Sequence, residues 1–311
     1  MPERQERSGT FRYGIGEWYG TVFTEIPPSE RRRLAELQGV GLPSIACPFR
    51  SSPDTPVPCN KRGGICSLRG YERDAGDGTV KVAHGRRGGF CTLCPERFQE
   101  GGRIFRWIGE TLLDTPSPAI LNEIPFLERT AKGSDRGARH SLSREGVGKI
   151  GHVLVDANRD PLHWCAVEMQ AVYFSGTGMG LEFDRLRAGT EEGIPFPTAV
   201  RRPDFRSSGP KRLMPQLEIK VPALRRWGKR MAVVVDRMFF DAIGDIAEVA
   251  DLSSADIIWF VVDFAPAGSR AEIKLDSARF TTLESTVEGL TAARPVSLGV
   301  FESRIRAKLP R

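Results

Sequence analysis

The sequence lacks any apolar run approaching the roughly 20 residues that a helix needs to cross a bilayer. That excludes a helical membrane span. Its opening residues, MPERQERSGTFR, are charged and contain no apolar stretch of the signal-peptide kind. A cytoplasmic protein is therefore expected. There is no internal repeat, and lysine is sparse beside arginine. Disorder is excluded as well, because hydrophobic residues make up 40% of the chain, enough to bury a core. The 311 residues allow one large domain, or a core of about 200 residues with a smaller module. What is present is a basic balance, with net charge +6 and a pI of about 9.1. It favours a polyanionic partner. The planar fork of arginine suits phosphate and guanine, although a GC-rich genome enriches arginine whatever the function.

Organisation along the chain is uneven. Residues 1–40 are a short leader with one helix, PSERRRLAEL, for which Ser29 is the expected N-cap. Residues 41–98 are rich in Pro, Gly, Cys and Arg and show little apolar periodicity. Such a segment needs a metal or a larger body to lean on. RIFRWIGETLL reads as a helix. HVLVDA reads as a strand, NRDP as a turn and LHWCAVEMQAVYF as a second long strand. Residues 184–215 are polar, Pro-rich and basic, a loop region or a set of short elements. Residues 222–247 read as one long helix opened by Pro222. DIIWFVVDFAP is expected to be a buried strand and TTLESTVEGLTA a final amphipathic helix. The order argues α/β. The expected division is an N-terminal region, 1–104, holding the cysteines, and a core, 105–311.

Five of the six cysteines fall between Cys47 and Cys94. In a reducing compartment, that clustering favours metal binding over disulfides. Four thiolates around one tetrahedral ion suit zinc or a single iron, and spacing does not choose between them. Gly63 and Gly64 would let the backbone bend toward the metal at Cys66. The competing reading is a set of unrelated buried thiols. Cys165 is expected to pack in the core.

Acidic residues offer three outlines for holding Mg²⁺ against a scissile phosphate, each an Asp followed by Glu-x-Lys or its like. In a strand, residues i and i+2 share one face, so the Glu and the third group point together. Mg²⁺ takes carboxylate oxygen and lowers the pKa of bound water. The candidates are Asp156 with Glu168 and Gln170, Asp204 with Glu218 and Lys220, and Asp263 with Glu272 and Lys274. Glu168 stands out because it lies within an apolar strand, where an unpaired carboxylate is costly. An ordinary salt bridge to an arginine would also satisfy it. The residues alone leave all three outlines open.

CPF, then Cys, RGGIC and CPER, followed by VLVDA, AVEMQAVYF, EEGIPFPT and DIIWFVVDFAP, together resemble the NotI-type restriction endonucleases. The echoes keep their order over most of residues 40–270. The resemblance implies a PD-(D/E)xK core, a central mixed β-sheet flanked by helices, with a small N-terminal four-cysteine module. It implies Asp156, Glu168 and Gln170 as the catalytic set, Asp156 and Glu168 binding Mg²⁺ and Gln170 standing where Lys is usual. It implies iron held by Cys47, Cys59, Cys66 and Cys94. Cys91 departs from the pattern and competes with Cys94 for the fourth place. The implied activity is type II site-specific cleavage of double-stranded DNA at a GC-rich palindrome by a homodimer. Glu145 is a further candidate acid. Arg201, Arg202, Arg206, Lys211 and Arg212 are the expected DNA contacts, with Arg225, Arg226, Lys229 and Arg230 beyond them. Two rival readings are a metal-bearing DNA-binding protein without catalysis and a nonspecific or repair nuclease with the same core.

Overall fold

The computed structural model describes residues 10–38, 45–127, 148–189, 193–292 and 296–309. Glu145 lies outside them. The chain opens with strands β1 (Thr10–Trp18) and β2 (Thr21–Val22), helix α1 (Pro28–Leu37), and strands β3 (Ile65–Arg73), β4 (Val80–Val82) and β5 (Cys91–Thr92). Helix α2 (Arg103–Leu113) precedes β6 (Ala119–Pro125), β7 (Lys149–Asp156) and β8 (His163–Met169). Then come β9 (Tyr173–Gly176), α3 (Gly180–Ala188), β10 (Arg201–Asp204) and the single turn α4 (Phe205–Ser208). Helix α5 (Met214–Arg226) leads to β11 (Met231–Asp236), α6 (Arg237–Ala242), β12 (Ile257–Ala267), β13 (Arg270–Thr281), α7 (Leu283–Thr291) and α8 (Leu298–Arg306).

The central sheet has six strands in the order β13-β12-β11-β8-β7-β6. It is mixed: β6, β7 and β8 pair antiparallel, β8, β11 and β12 run parallel, and β13 returns antiparallel on β12. Side chains alternate between its faces with period two. Met231, Val233 and Val235 of β11 join one apolar cluster, while Ala232 and Val234 join the other. Helix α5 covers the first face through Leu217, Val221 and Leu224. Helix α2 covers the second through Ile104, Phe105, Ile108 and Leu113. The α/β expectation and the central mixed sheet flanked by helices are therefore met. The PSERRRLAEL and RIFRWIGETLL helices are present; in the former Pro27, not Ser29, occupies the N-cap position, with no side-chain capping bond.

Two stretches differ from expectation. Residues 222–247 are not one helix: Pro222 lies inside α5, and MAVVVD is strand β11. That strand is buried on both faces, so it has no alternation to distinguish it from a buried helix segment. Gly228, at φ 64°, turns the chain out of α5 toward it. The long strand LHWCAVEMQAVYF is also broken. After Met169 the chain leaves the central sheet, and Tyr173–Gly176 pairs with β10 instead.

The N-terminal strands form a second sheet, β2-β1-β3-β4, with β5 also on β3. Its Ile15, Trp18 and Leu68 enter the same apolar cluster as Val153 and Val233 of the central sheet. A buried ion pair reinforces that union. Arg97 and Glu17 are both fully buried, and Arg97 Nε donates to Glu17 Oε1 at 3.0 Å. Arg97 also donates to Glu100 and to the Ala271 carbonyl of β13. The change of composition near residue 104 therefore does not coincide with a break in the core.

Candidate active site

Glu168 sits on β8, flanked by β7 and β11, with Val233 as its parallel neighbour. Its Oε2 accepts a hydrogen bond from Lys220 Nζ at 2.9 Å. The same Nζ donates to Gln216 Oε1 at 2.8 Å, and the Lys220 side chain is only 1% exposed. Gln216 and Lys220 are four residues apart on α5, so both face the sheet. The costly carboxylate in an apolar strand is thus compensated, though by a lysine from a helix and not by an arginine.

Gln170 follows the last residue of β8, and its backbone N–H donates to the Val234 carbonyl at 2.9 Å. It is buried, and its Nε2 donates to the Ala171 carbonyl. Glu168 and Gln170 therefore lie together at the carboxyl end of β8. That is where ligands gather in sheets with parallel strands.

Asp156 does not join them. The β7–β8 register pairs Asp156 with His163 and His152 with Val167, so Gly151 is the residue facing Glu168. Asp156 lies five residues further along β7, about 16 Å away at ~3.3 Å per residue. An odd separation also puts it on the other face of the sheet. Its Oδ1 accepts from the Asn158 N–H at 3.1 Å and its Oδ2 pairs with Arg159 at 3.2 Å. Asp156 closes the NRDP turn. The expectation that it shares an ion with Glu168 is corrected on this ground. At Gly151 an added Cβ would lie 3.9 Å from Glu168 Oε2, an ordinary contact.

The other two outlines do not assemble. Asp204 caps α4, accepting from the Ser207 N–H at 3.0 Å and the Ser207 hydroxyl at 2.8 Å. Those bonds hold its carboxyl below the usual range. Glu218 and Lys220 lie on a helix, where two residues turn the chain by about 200°. Glu218 is exposed while Lys220 faces the sheet. Asp263 and Lys274 are neighbours in the β12–β13 hairpin, and Glu272 pairs with Arg103 at the surface. The sequence outline thus named Lys220 for the wrong partner. The Gln216–Lys220 spacing on one helix face was the signal for its true direction.

The cysteine segment folds into two similar turns. In Cys47-Pro48-Phe49-Arg50, the Cys47 carbonyl accepts from the Arg50 and Ser51 N–H groups. In Cys94-Pro95-Glu96-Arg97, the Cys94 carbonyl accepts from Arg97. Crossed bonds, Cys47 N–H to Val57 and Cys59 N–H to Ile45, bring Cys59 beside the first turn, and Cys94 N–H bonds to the Cys66 carbonyl. Burial pushes up the Cys59 and Cys66 thiols, and that of Cys94 to about 11. Each also feels its neighbours: Cys59 feels Cys47, Cys66 feels Cys94 and Cys59, and Cys94 feels Cys47. Cys91 is buried too, but the charge acting on it is Asp236. Among the described residues, no group of three or more His, Cys, Asp or Glu is drawn closely enough together to hold a metal ion. Cys165 packs in the core, as expected.

The basic residues divide. Arg201 is no surface contact: its side chain is fully buried, with Nη1 2.9 Å from Glu182 Oε1. Arg202, Arg206, Lys211 and Arg212 are exposed. Arg212 lies over the Tyr173 ring at 3.6 Å, and the Tyr173 N–H donates to Ser208 Oγ, so these residues flank the exit of β8. Arg225 is engaged with Asp256 and Glu284, while Lys229 and Arg230 donate to backbone carbonyls. Arg226 is exposed on α5.

A family model described as "Restriction endonuclease NotI" matches residues 31–275, from within α1 to within β13. The chain belongs to the NotI restriction endonuclease family. That is a family of DNA-cutting hydrolases, and the matched span includes Cys47, Cys59, Cys66, Cys94, Glu168, Gln170 and Lys220. No curated protein matches the chain. No described helix is long and apolar enough to cross a membrane.

Proposed function

We propose that this member of the NotI family is a Mg²⁺-dependent, type II site-specific deoxyribonuclease of the PD-(D/E)xK class, acting at the Glu168 end of β8. One observation carries the reading. The order α2-β6-β7-β8-α5-β11 delivers Glu168 and Gln170 to the exit of a central strand, with a buried ammonium 2.9 Å from the carboxylate. The donor chemistry fits Mg²⁺, which binds through one or two carboxylates, substrate phosphate and retained waters. Glu168 would be the carboxylate that holds it. When bound, the ion supplies an activated water and neutralises phosphate charge. Gln170, through its amide, orients water or a phosphate oxygen and carries no proton to give. Arg202, Arg206, Lys211 and Arg212 hold the DNA backbone near the strand exit, and Arg at guanine O6 and N7 suits a GC-rich palindrome. Cys47, Cys59, Cys66 and Cys94 form a structural site within residues 1–104. The backbone bonds that set Cys59 beside the Cys47 turn and Cys94 against Cys66 support the reading, and the thiols must lose protons to bind iron, or zinc in its place. The enzyme acts as a homodimer on its palindrome.

Gly151 favours one rival. It faces Glu168 where a second carboxylate would strengthen an ion clamp, as a DNA-binding protein without catalysis would permit. Incubation of the purified chain with supercoiled plasmid and Mg²⁺ separates the readings. Discrete linear fragments, lost in EDTA, are expected. Retarded but intact DNA would replace the proposal with a binding protein, and a smear would replace it with a nonspecific nuclease.

A further inference from the structure

Gln170 leaves this centre without a cation at the place two residues after its glutamate, yet a cation is there. Lys220 reaches Glu168 from α5, is removed from solvent, and is aimed by Gln216 as well as by Glu168. A lysine on a helix that merely covers an apolar sheet would extend its head into water. Burying an ammonium is costly unless it is paired and hydrogen-bonded, and this one is both, so the side chain is held in place for its charge. The hydrogen bond from Lys220 fixes Oε2 of Glu168, whose side chain stays 15% exposed. We infer that Lys220 is a positioning residue for DNA cleavage, the helix-borne counterpart of the lysine that Gln170 replaces, acting through Glu168. This inference rests on the nuclease reading above.

Its role differs from that of a metal ligand and from that of a packing residue. Losing a ligand raises the Mg²⁺ requirement. Losing a packing residue lowers the melting temperature without touching the rate at temperatures where the chain stays folded. Losing a positioning residue lowers the rate at saturating Mg²⁺. Misplacing a reacting group by about 1 Å costs on the order of 10²-fold.

The experiment measures single-turnover cleavage against Mg²⁺ concentration for the wild type, Lys220→Gln, Lys220→Arg and Gln216→Leu. DNA binding in Ca²⁺ and thermal melting are followed in parallel. Lys220→Gln should cut about 10²-fold more slowly at saturating Mg²⁺, with DNA binding kept and the half-saturating Mg²⁺ not raised. Lys220→Arg should regain most of that loss. Gln216→Leu, which keeps the charge and loosens its aim, should fall between them. If Lys220→Gln misfolds, the contrast between Lys220→Arg and Gln216→Leu carries the test. Variants that cut within about threefold of a cutting wild type overturn the inference alone. A wild type that leaves DNA intact in Mg²⁺ overturns the parent reading and this inference with it.

Discussion

At the residue scale, the site turns on three positions that share one line across the sheet. Gly151, Glu168 and Val233 are neighbours on β7, β8 and β11. A Cβ at Gly151 would make only ordinary contacts, 3.7 Å from the Val167 carbonyl oxygen and 3.9 Å from Glu168 Oε2. Gly151→Asp should therefore place a second carboxylate next to Glu168 and lower the half-saturating Mg²⁺ for cleavage several-fold. An unchanged or raised requirement in a Mg²⁺ titration would count against the site. Asp236, at the end of β11, gives a pH prediction. It is buried and accepts from the Thr92 and Phe239 N–H groups, and burial raises its carboxyl from 3.8 to about 6. Between those values the native chain keeps a proton that the unfolded chain has released. Stability from this group is therefore present at the acidic end of the window and is lost as pH rises to about 6. Asp236→Asn should remove that component, and denaturant melts between pH 4 and pH 6 should show a flatter or more upward slope than the wild type. Parallel slopes would show that Asp236 titrates in the folded chain as it does in the unfolded one.

At the element scale, the turns of the cysteine segment are joined to the sheets by Arg97, the last residue of CPER. Removing it leaves Glu17 buried without its cation and the partly exposed Glu100 unpaired from it. Arg97→Met should cost about 3–5 kcal/mol, as the loss of one partner of a buried pair does, read from denaturant unfolding. A change under about 1 kcal/mol would mean that the pair is incidental. Cys66→Ser should lower both metal content and melting temperature, whereas Cys91→Ser should keep its metal, because Cys91 sits on β5 beside Thr92, whose N–H donates to Asp236. Equal metal loss in both would redraw the ligand set. Much of this was legible in the sequence. Helix α2 and strands β7, β8 and β12 announced themselves by pattern and turn residues, and the cysteines by their clustering. Glu168 was visible as a charge out of place. Strand β11 was hidden because a strand buried on both faces loses its alternation. Asp156 was misplaced because linear order does not tell which residue of β7 faces Glu168; register does. Lys220 was hidden because its partner lies 52 residues away in the chain.

At the scale of the whole molecule, the two larger sheets share one apolar cluster, to which the cysteine segment and the basic residues by β8 are attached. On the proposed palindrome the two scissile strands would call for two chains. Sedimentation on a duplex bearing the cleavage site should show two chains per duplex; one chain with nicked plasmid as the product would reject the dimer. Binding should weaken steeply with salt as phosphate contacts release counterions. The central claim is that chemistry occurs at Glu168 and not at Asp156. The most direct measurement is cleavage of one DNA substrate in Mg²⁺ by Glu168→Gln and Asp156→Asn side by side, with binding checked for each. The account predicts that Glu168→Gln loses on the order of 10³-fold or more while still binding, since it removes the carboxylate for the ion. It predicts that Asp156→Asn cuts within about tenfold of the wild type. A Glu168→Gln chain that cuts at the wild-type rate, or an Asp156→Asn chain that is folded, binds DNA and does not cut, would contradict it.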